Sequence, residues 1–202
     1  MLDKNSALIG VLRASRDGIG GKRLLRIGET RGWKLVQVEA FSTTAEELEQ
    51  AVRTSLGFEL PARVGVAQAS GARLLLRWGP EQFWIITQDG EDILPALRSA
   101  VTPAIGSVTE LSQSRTRIWV EGSHSSEVLA NGLAIDLDPK FFGPNSFALT
   151  GLHHTPVMVL RTRATRFELY VLRTFAVWTW EWLTDAALPY GYEVAAPEGA
   201  GQ

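Results

Sequence analysis

The sequence predicts an α+β fold made of two tandem ferredoxin-like (βαββαβ) units that follow an irregular N-terminal arm. Strand-type alternation and helix-type apolar stripes occur in the order β-α-β-β-α-β over residues 33–112, and the same order returns over residues 113–196. The 202 residues, 45% of them hydrophobic, suffice for one domain or two small ones. No residue-level repeat joins the halves, so we expect a duplication of topology alone.

Both ends of the chain are predicted to be irregular. Residues 1–32 are polar and glycine-rich and have no apolar period, which predicts a basic arm rather than a helix or strand. Within this arm, Arg23 and Arg26 are expected to contact a partner protein. Residues 197–202 are predicted to be a disordered tail.

The first unit opens with a strand over residues 33–41, where apolar and polar residues alternate. A helix over about 44–55 follows. Thr44 and Glu47 have the spacing of a capping box, and Gly57 is placed to end the helix. The remaining predicted elements are two strands joined by a Gly-Pro turn, a helix and a last strand: 73–78, 82–87, 92–100 and 107–111.

The second unit repeats this order. Its first strand is followed by a short helix that Ser123 caps and Gly132 ends. A hairpin with a basic turn, a tryptophan-rich helix and a short strand complete the unit. The strands are predicted at 115–121, 155–161, 166–172 and 192–194, and the second helix at 174–187.

Composition excludes several classes of protein. The absence of cysteine rules out a disulfide framework, a thiolate nucleophile and a cysteine-based zinc site. A net charge of -2 argues against a nucleic-acid partner, and no apolar run approaches a membrane span. Since no signal peptide is recognisable either, we expect a cytoplasmic protein without membrane or nucleic-acid partners.

No catalytic or metal-binding residue is predicted. The adjacent His153 and His154 would point to opposite faces of a strand, and no spacing typical of a metal site supports them. Asp138 precedes Pro139 and is interpreted as a turn residue, whereas Asp136 is left open as a ligand contact.

Two patterns suggest contacts with another molecule. Arg115, Arg117 and Trp119 share one face of a strand, where they would either bind a carboxylate or a partner, or form an ordinary solvated surface. In the tryptophan-rich helix, Phe175, Trp178 and Trp182 form one stripe, interpreted as core. Trp180 lies on another side with Val177, so Trp119, Trp180 and Val177 join Arg23 and Arg26 as predicted interface residues.

From about residue 74 to residue 194 the chain resembles the gamma subunit of heterotetrameric sarcosine oxidase. No single motif is diagnostic, but the motifs occur in the order of the family. They are Gly79-Pro80 with Phe83-Trp84, Glu110-Leu111-Ser112, Arg117 to Gly122, Val128 to Gly132, Asp136-Leu137-Asp138-Pro139 with Phe141 or Phe142, Phe147 to Thr150, Phe167 to Val171 and Trp182-Leu183. Two motifs depart from the family pattern: Gly132-Leu133 stands where Gly-Cys is frequent, and Glu110 stands where the family has Asp.

The resemblance implies a fold like the folate-binding aminomethyltransferase module and a non-catalytic place in a complex that oxidatively demethylates sarcosine. The partners it implies are the alpha, beta and delta subunits. The cofactors FAD, FMN, NAD, tetrahydrofolate and zinc would then belong to those other subunits and none to this chain.

Two alternative functions remain at this point. The chain could be a stand-alone folate-binding one-carbon transferase, with Arg115 or Arg117 on the folate carboxylate and Asp136 near the pterin. It could also be the equivalent subunit of a related N-methyl amino acid dehydrogenase complex, for example one acting on methylglutamate.

Overall fold

The computed structural model describes residues 6–11, 14–88 and 90–199, which divide into two compact units. Unit 1 contains the described residues of Met1–Arg31 and Gln113–Gln202, and unit 2 is Gly32–Ser112. The elements in chain order are β1 (Leu25–Thr30), β2 (Trp33–Ala40), α1 (Ala45–Leu56), β3 (Ala67–Ser70), β4 (Arg73–Gly79), β5 (Gln82–Gln88), α2 (Leu94–Ala100), β6 (Gly106–Glu110), β7 (Arg115–Gly122), α3 (Ser125–Ala130), β8 (Phe147–Leu152), β9 (Thr155–Arg163), β10 (Arg166–Leu172), α4 (Ala176–Ala187) and β11 (Tyr192–Val194).

Unit 2 is a five-stranded antiparallel sheet in the order β3-β4-β5-β2-β6. Without the short added strand β3, its strands follow the ferredoxin-like order, with the first strand between the third and the fourth. One face of the sheet packs against α1 and α2 through Leu48, Val52 and Leu97. This core satisfies the apolar alternation of β2 and β5.

Unit 1 is a six-stranded sheet in the order β11-β1-β7-β10-β9-β8. Its core face packs against α3 and α4, where Leu129, Trp180 and Leu183 join the strand residues Ile118 and Leu169. The predicted α+β class with tandem βαββαβ units is therefore confirmed. No helix in the described ranges is both long enough and apolar enough to cross a bilayer.

The prediction of an irregular arm is wrong for Leu25–Thr30. This segment is β1, which lies inside the sheet of unit 1, antiparallel to β7 and parallel to β11. Its apolar alternation stops after two residues, because Gly28 and the buried Glu29 occupy the next positions. Arg13, another predicted member of the arm, lies outside the described residues.

The prediction of a disordered tail is wrong for Glu198. Its backbone N–H donates to Glu29 O at 2.9 Å, and its carbonyl accepts from Arg31 N–H at 2.7 Å, so the chain continues along β1 beyond β11. Residues 200–202 lie outside the described residues.

Two predicted helix caps are also wrong. The Thr44 side chain makes no cap hydrogen bond to α1; instead its hydroxyl donates to Ile105 O at 2.6 Å, which ties the helix start to the segment before β6. In α3 the residue at the N-cap is His124 rather than Ser123. Gly57 does end α1, in the left-handed conformation and with its N–H on Arg53 O.

Candidate functional site: a charged cavity and an aromatic helix face

The sheet of unit 1 gathers charged side chains on the face opposite its helices. Cross-strand partners share a face, and Arg26, Glu121 and Arg166 are partners across β1, β7 and β10. Gly28, Trp119 and Glu168 form the next such row, and Thr30, Arg117 and Tyr170 the one after. We call the cavity over these rows, of about 420 Å³, the arginine cavity; it is lined by Arg26, Arg117, Glu121, Thr162, Arg163, Arg166, Glu168 and Glu198.

Glu168 is the buried acid of this cavity. It accepts from Arg117 Nε at 2.8 Å on one carboxylate oxygen and from Arg166 Nε at 3.2 Å on the other. Its side chain is only 3% exposed. A carboxylate this buried requires charge-assisted partners, so the two arginines and Glu168 stabilise one another.

Arg166 is the centre of the network. Its Nη1 donates to Glu198 at 3.0 Å and to Glu121 at 3.3 Å, and its Nη2 donates to the other Glu198 oxygen at 2.6 Å. The Glu198 contact is therefore bidentate, the arrangement in which a guanidinium holds a carboxylate most firmly. The segment after β11 delivers Glu198 to this position.

The charges in the cavity are fixed by their surroundings. Burial lowers the pKa of Arg117, but its electrostatic interactions with Tyr170 and Glu168 and its hydrogen bond to Glu168 outweigh burial and hold that pKa above its usual value. Burial also lowers the pKa of Arg166, but the hydrogen bonds to Glu198 and Glu168 and the charges of these carboxylates outweigh burial. The pKa of Arg166 is therefore raised as well. For the phenol of Tyr170, burial is the main cause of a raised pKa. The two guanidiniums thus stay charged and the phenol stays neutral at physiological pH.

Trp119 forms the floor of the cavity. The Arg166 guanidinium lies 4.1 Å from its ring centroid and that of Arg26 lies 5.8 Å away. The indole is fully buried because Gly28 leaves room beside it: a Cβ at Gly28 would lie 2.5 Å from Trp119 Cζ2. The prediction that Trp119 faces a partner is wrong, since the cavity arginines cover it.

The predicted core stripe of α4 is wrong for two of its three residues, whereas Trp182 packs against the core of unit 1 as predicted. Trp180 is fully buried in the core of unit 1, so it cannot contact a partner, whereas the predicted core residues Phe175 and Trp178 are 39% and 40% exposed. Val177 is 37% exposed, as a contact residue requires. The helix rotation follows from the apolar neighbours: Ala176, Leu183 and Ala187 lie on the Trp180 side. Trp178 and Trp182 lie edge-on to the ring of His153.

The other predicted residues lie apart from the cavity or at its margin. Asp136 is exposed and accepts from the backbone N–H of Asp138 at 2.8 Å, the hydrogen bond of an Asx turn. Arg115 is half-buried at the start of β7, opposite Leu172 of β10, and burial lowers the pKa of its guanidinium. Arg23 pairs with Asp17 at 2.6 Å on the surface. Across the ranges 6–11, 14–88 and 90–199, no group of three His, Cys, Asp or Glu side chains is placed to hold a metal ion.

Sequence reasoning missed Glu168, Arg166 and Glu198. Glu168 left a signal: it is the one charged residue within the otherwise apolar β10 stretch 167–172. A charge inside a buried strand predicts a buried partner. Glu198 gave no such signal, because only the tertiary structure brings the end of the chain to β10.

The chain is similar to the gamma subunits of sarcosine oxidases. The model of the sarcosine oxidase gamma subunit family matches residues 42–188. The gamma subunit of sarcosine oxidase from Corynebacterium sp. (strain U-96) is 27% identical over 169 residues, which are 83% of this chain and 82% of the relative. The gamma subunit from an Arthrobacter species is 31% identical over 147 residues, 72% of each chain.

Solved structures extend the likeness to the fold. A chain of the heterotetrameric sarcosine oxidase from Corynebacterium sp. U-96, solved in complex with pyrrole 2-carboxylate, superposes with a TM-score of 0.81 at 26% identity. The superposition covers 95% of this chain and 98% of that one. Aminomethyltransferase T of the Bartonella henselae glycine cleavage system shares the fold at a TM-score of 0.60 and 15% identity, over 86% of this chain and 48% of its own.

Proposed function

Because the chain belongs to the sarcosine oxidase gamma subunit family, we propose that it is the gamma subunit of a heterotetrameric sarcosine oxidase. In that complex it supports the oxidative demethylation of sarcosine to glycine as a structural and assembly subunit. The observation that carries this proposal is the likeness to the heterotetrameric enzyme over 95% of this chain and 98% of the related one.

The proposal assigns the reacting groups to other subunits. FAD, FMN, NAD, tetrahydrofolate and zinc would be held by the alpha, beta and delta subunits, in a cytoplasmic complex. In this chain, Arg117 already donates its Nε to Glu168, and Asp136 closes an exposed turn. Asp136 does not line the cavity that contains Arg117, so the two residues are not gathered into one folate site.

We propose the exposed apolar face of α4, together with the residues that flank the helix at either end, as a contact with the partner subunits. Phe175, Val177, Trp178 and Leu188 are each between 37% and 46% exposed. Large aromatic side chains at a surface are typical of protein interfaces, where their burial contributes much of the binding energy. Arg23 and Arg26, also exposed, are proposed as further partner contacts; Arg26 lies on the sheet face opposite α4, so its contact would be separate from the α4 contact.

The assembly proposal is tested by expressing a tagged form of this chain together with candidate alpha, beta and delta subunits. We expect a purified complex that oxidises sarcosine and carries the flavin absorbance, while this chain purified alone is colourless and inactive. Purification of an active, coloured enzyme without this chain would contradict an assembly role.

The interface proposal is tested in the same co-expression system by Trp178→Ala. We expect reduced recovery of the partner subunits, because truncation removes an exposed aromatic anchor. Phe41→Ala is the matched control, since Phe41 is 55% exposed but lies in unit 2. Equal recovery with both variants would exclude the α4 face.

A further inference from the structure

The arginine cavity holds guanidinium N–H groups for which the described residues provide no hydrogen-bond acceptor. Arg166 already makes four hydrogen bonds to carboxylates and uses all three of its nitrogens. Within the described part of the chain, Arg117 donates through Nε alone, to Glu168. Among the described residues, the nearest carboxylates are those of Glu193 at 3.8 Å from Arg26 and Glu121 at 3.6 Å from Arg163, both beyond hydrogen-bond distance.

The cavity also carries an excess of positive charge. Four arginines and three glutamates line it, so the lining residues carry one positive charge in excess; Glu193, 3.8 Å from Arg26, is half-exposed and lies outside the lining. Each of the three glutamates already accepts from Arg166. A negative group entering the cavity would therefore meet free donors on Arg26, Arg117 and Arg163, and it would neutralise the surplus charge.

We propose that the arginine cavity is a binding site for a small oxyanion, a carboxylate or a phosphate, held by Arg26, Arg117 and Arg163. The cavity of about 420 Å³ accommodates such a group. The protein already shows the geometry of such binding at Arg166, where Glu198 lies bidentate on the guanidinium. Planar guanidinium groups bind carboxylate and phosphate oxygens in this way.

Glu198 sets the charge of this site. It comes from the segment after β11, it is 44% exposed, and it lies on the wall of the cavity. Replacing it by glutamine removes one negative charge while keeping the size of the side chain, so two positive charges are then in excess. An oxyanion should consequently bind more tightly to the Glu198→Gln protein.

The test is isothermal titration of the full chain with sodium succinate and, separately, with sodium phosphate, at constant ionic strength. We expect saturable binding of at least one anion, and the two titrations decide whether the site prefers carboxylate or phosphate. Arg26→Gln with Arg163→Gln should weaken binding about tenfold or more, because both side chains lose their charge-assisted bonds. Glu198→Gln should tighten binding roughly three- to tenfold.

Arg53→Gln is the matched control, since Arg53 is a half-exposed arginine of unit 2 paired with Glu59. It should leave the affinity unchanged. Arg163→Gln alone adds a variant that cannot unfold the protein through lost packing, because that side chain is 71% exposed. Absence of saturable binding, or equal binding by the wild type and the double variant, would overturn the site. Neither result depends on whether the chain assembles with other subunits.

Discussion

Units 1 and 2 build the same ferredoxin-like pattern in different ways. In unit 2 the first strand, β2, pairs directly with the fourth, β6. In unit 1 the fourth strand, β11, is separated from the first, β7, by β1, a strand from the N-terminal part of the chain. The inserted strand is parallel to β11 and antiparallel to β7, so the orientation of the pattern is preserved.

The insertion accompanies a chemical difference between the second faces of the two sheets. In unit 2 this face is mainly apolar, with Leu35, Leu76 and Ile86 buried and Trp84 Nε1 donating to Gln37. In unit 1 it carries the arginine cavity. β1 contributes Arg26 to the cavity and Gly28 to the floor beside Trp119. An added strand can therefore change the chemistry of one sheet face while the other face keeps its helix-covered apolar core.

The largest expected effect tests which side of α4 belongs to the core of unit 1. Trp180→Ala should lower the free energy of unfolding by about 3–5 kcal/mol, because it leaves a large cavity among fully buried residues. Trp178→Ala, on the exposed side, should change it by less than about 0.5–1 kcal/mol. Urea denaturation of the full chain measures both, and equal losses would contradict the observed rotation of the helix.

The second prediction concerns the close contact between Gly28 of β1 and the Trp119 indole. Gly28→Ala should cost about 1–3 kcal/mol, since the new methyl group would lie 2.5 Å from the indole. In a Trp119→Leu background the same change should cost clearly less, because a smaller side chain gives the methyl group room. A double-mutant cycle by urea denaturation checks this, and additive costs would show that the glycine acts by another route.

The third prediction concerns the pH dependence of stability. Ionisation of tyrosine affects unit 1 alone, because all three tyrosines of the chain belong to it. Burial raises the pKa of Tyr170, so above about pH 10 the unfolded chain loses a proton that the folded protein keeps. The stability contributed by the protonated phenol is complete below that pH and is lost as pH rises towards the folded-state pKa, by up to about 1.4 kcal/mol per pH unit.

Tyr170→Phe is the control for this titration, because phenylalanine keeps the ring and cannot ionise. The difference in unfolding free energy between the wild type and Tyr170→Phe should shift against the wild type as pH increases from 9 to 11.5. A difference that stays constant over this range would mean that the phenol is not protected from ionisation.

The smallest expected effect lies in unit 2. Thr44→Val removes the hydroxyl bond to Ile105 O and should cost about 0.5–1.5 kcal/mol. Thr43→Val, at an exposed neighbouring position, should cost only a few tenths. Glu47→Ala tests for a capping box, in which Glu47 would contribute as much stability as Thr44. A loss of stability as large as that of Thr44→Val would contradict the observed Thr44 contact and support the capping box. A thermal melt of each variant measures these losses.

The sequence by itself determined the parts that depend on local periodicity. Apart from β3, which was not predicted, the strand and helix order of unit 2 follows from apolar spacing and turn residues close in the chain, as do the hairpin of β9 and β10 and the short β11. The family likeness could be recognised for the same reason, since its motifs are short and occur in order.

Only the tertiary structure decided the place of β1, the burial of Trp119 and Trp180, and the arginine cavity. Leu25–Thr30 has too few apolar positions for its sequence to predict a strand. It forms one because β7 and β11 both supply hydrogen-bond partners for its backbone. Trp119 lies on an apparently polar face, and it is buried because Gly28, Arg26 and Arg166 come from other strands. Glu198 lies 32 residues from Arg166, and such a pairing leaves no local pattern, because it depends on register across the sheet.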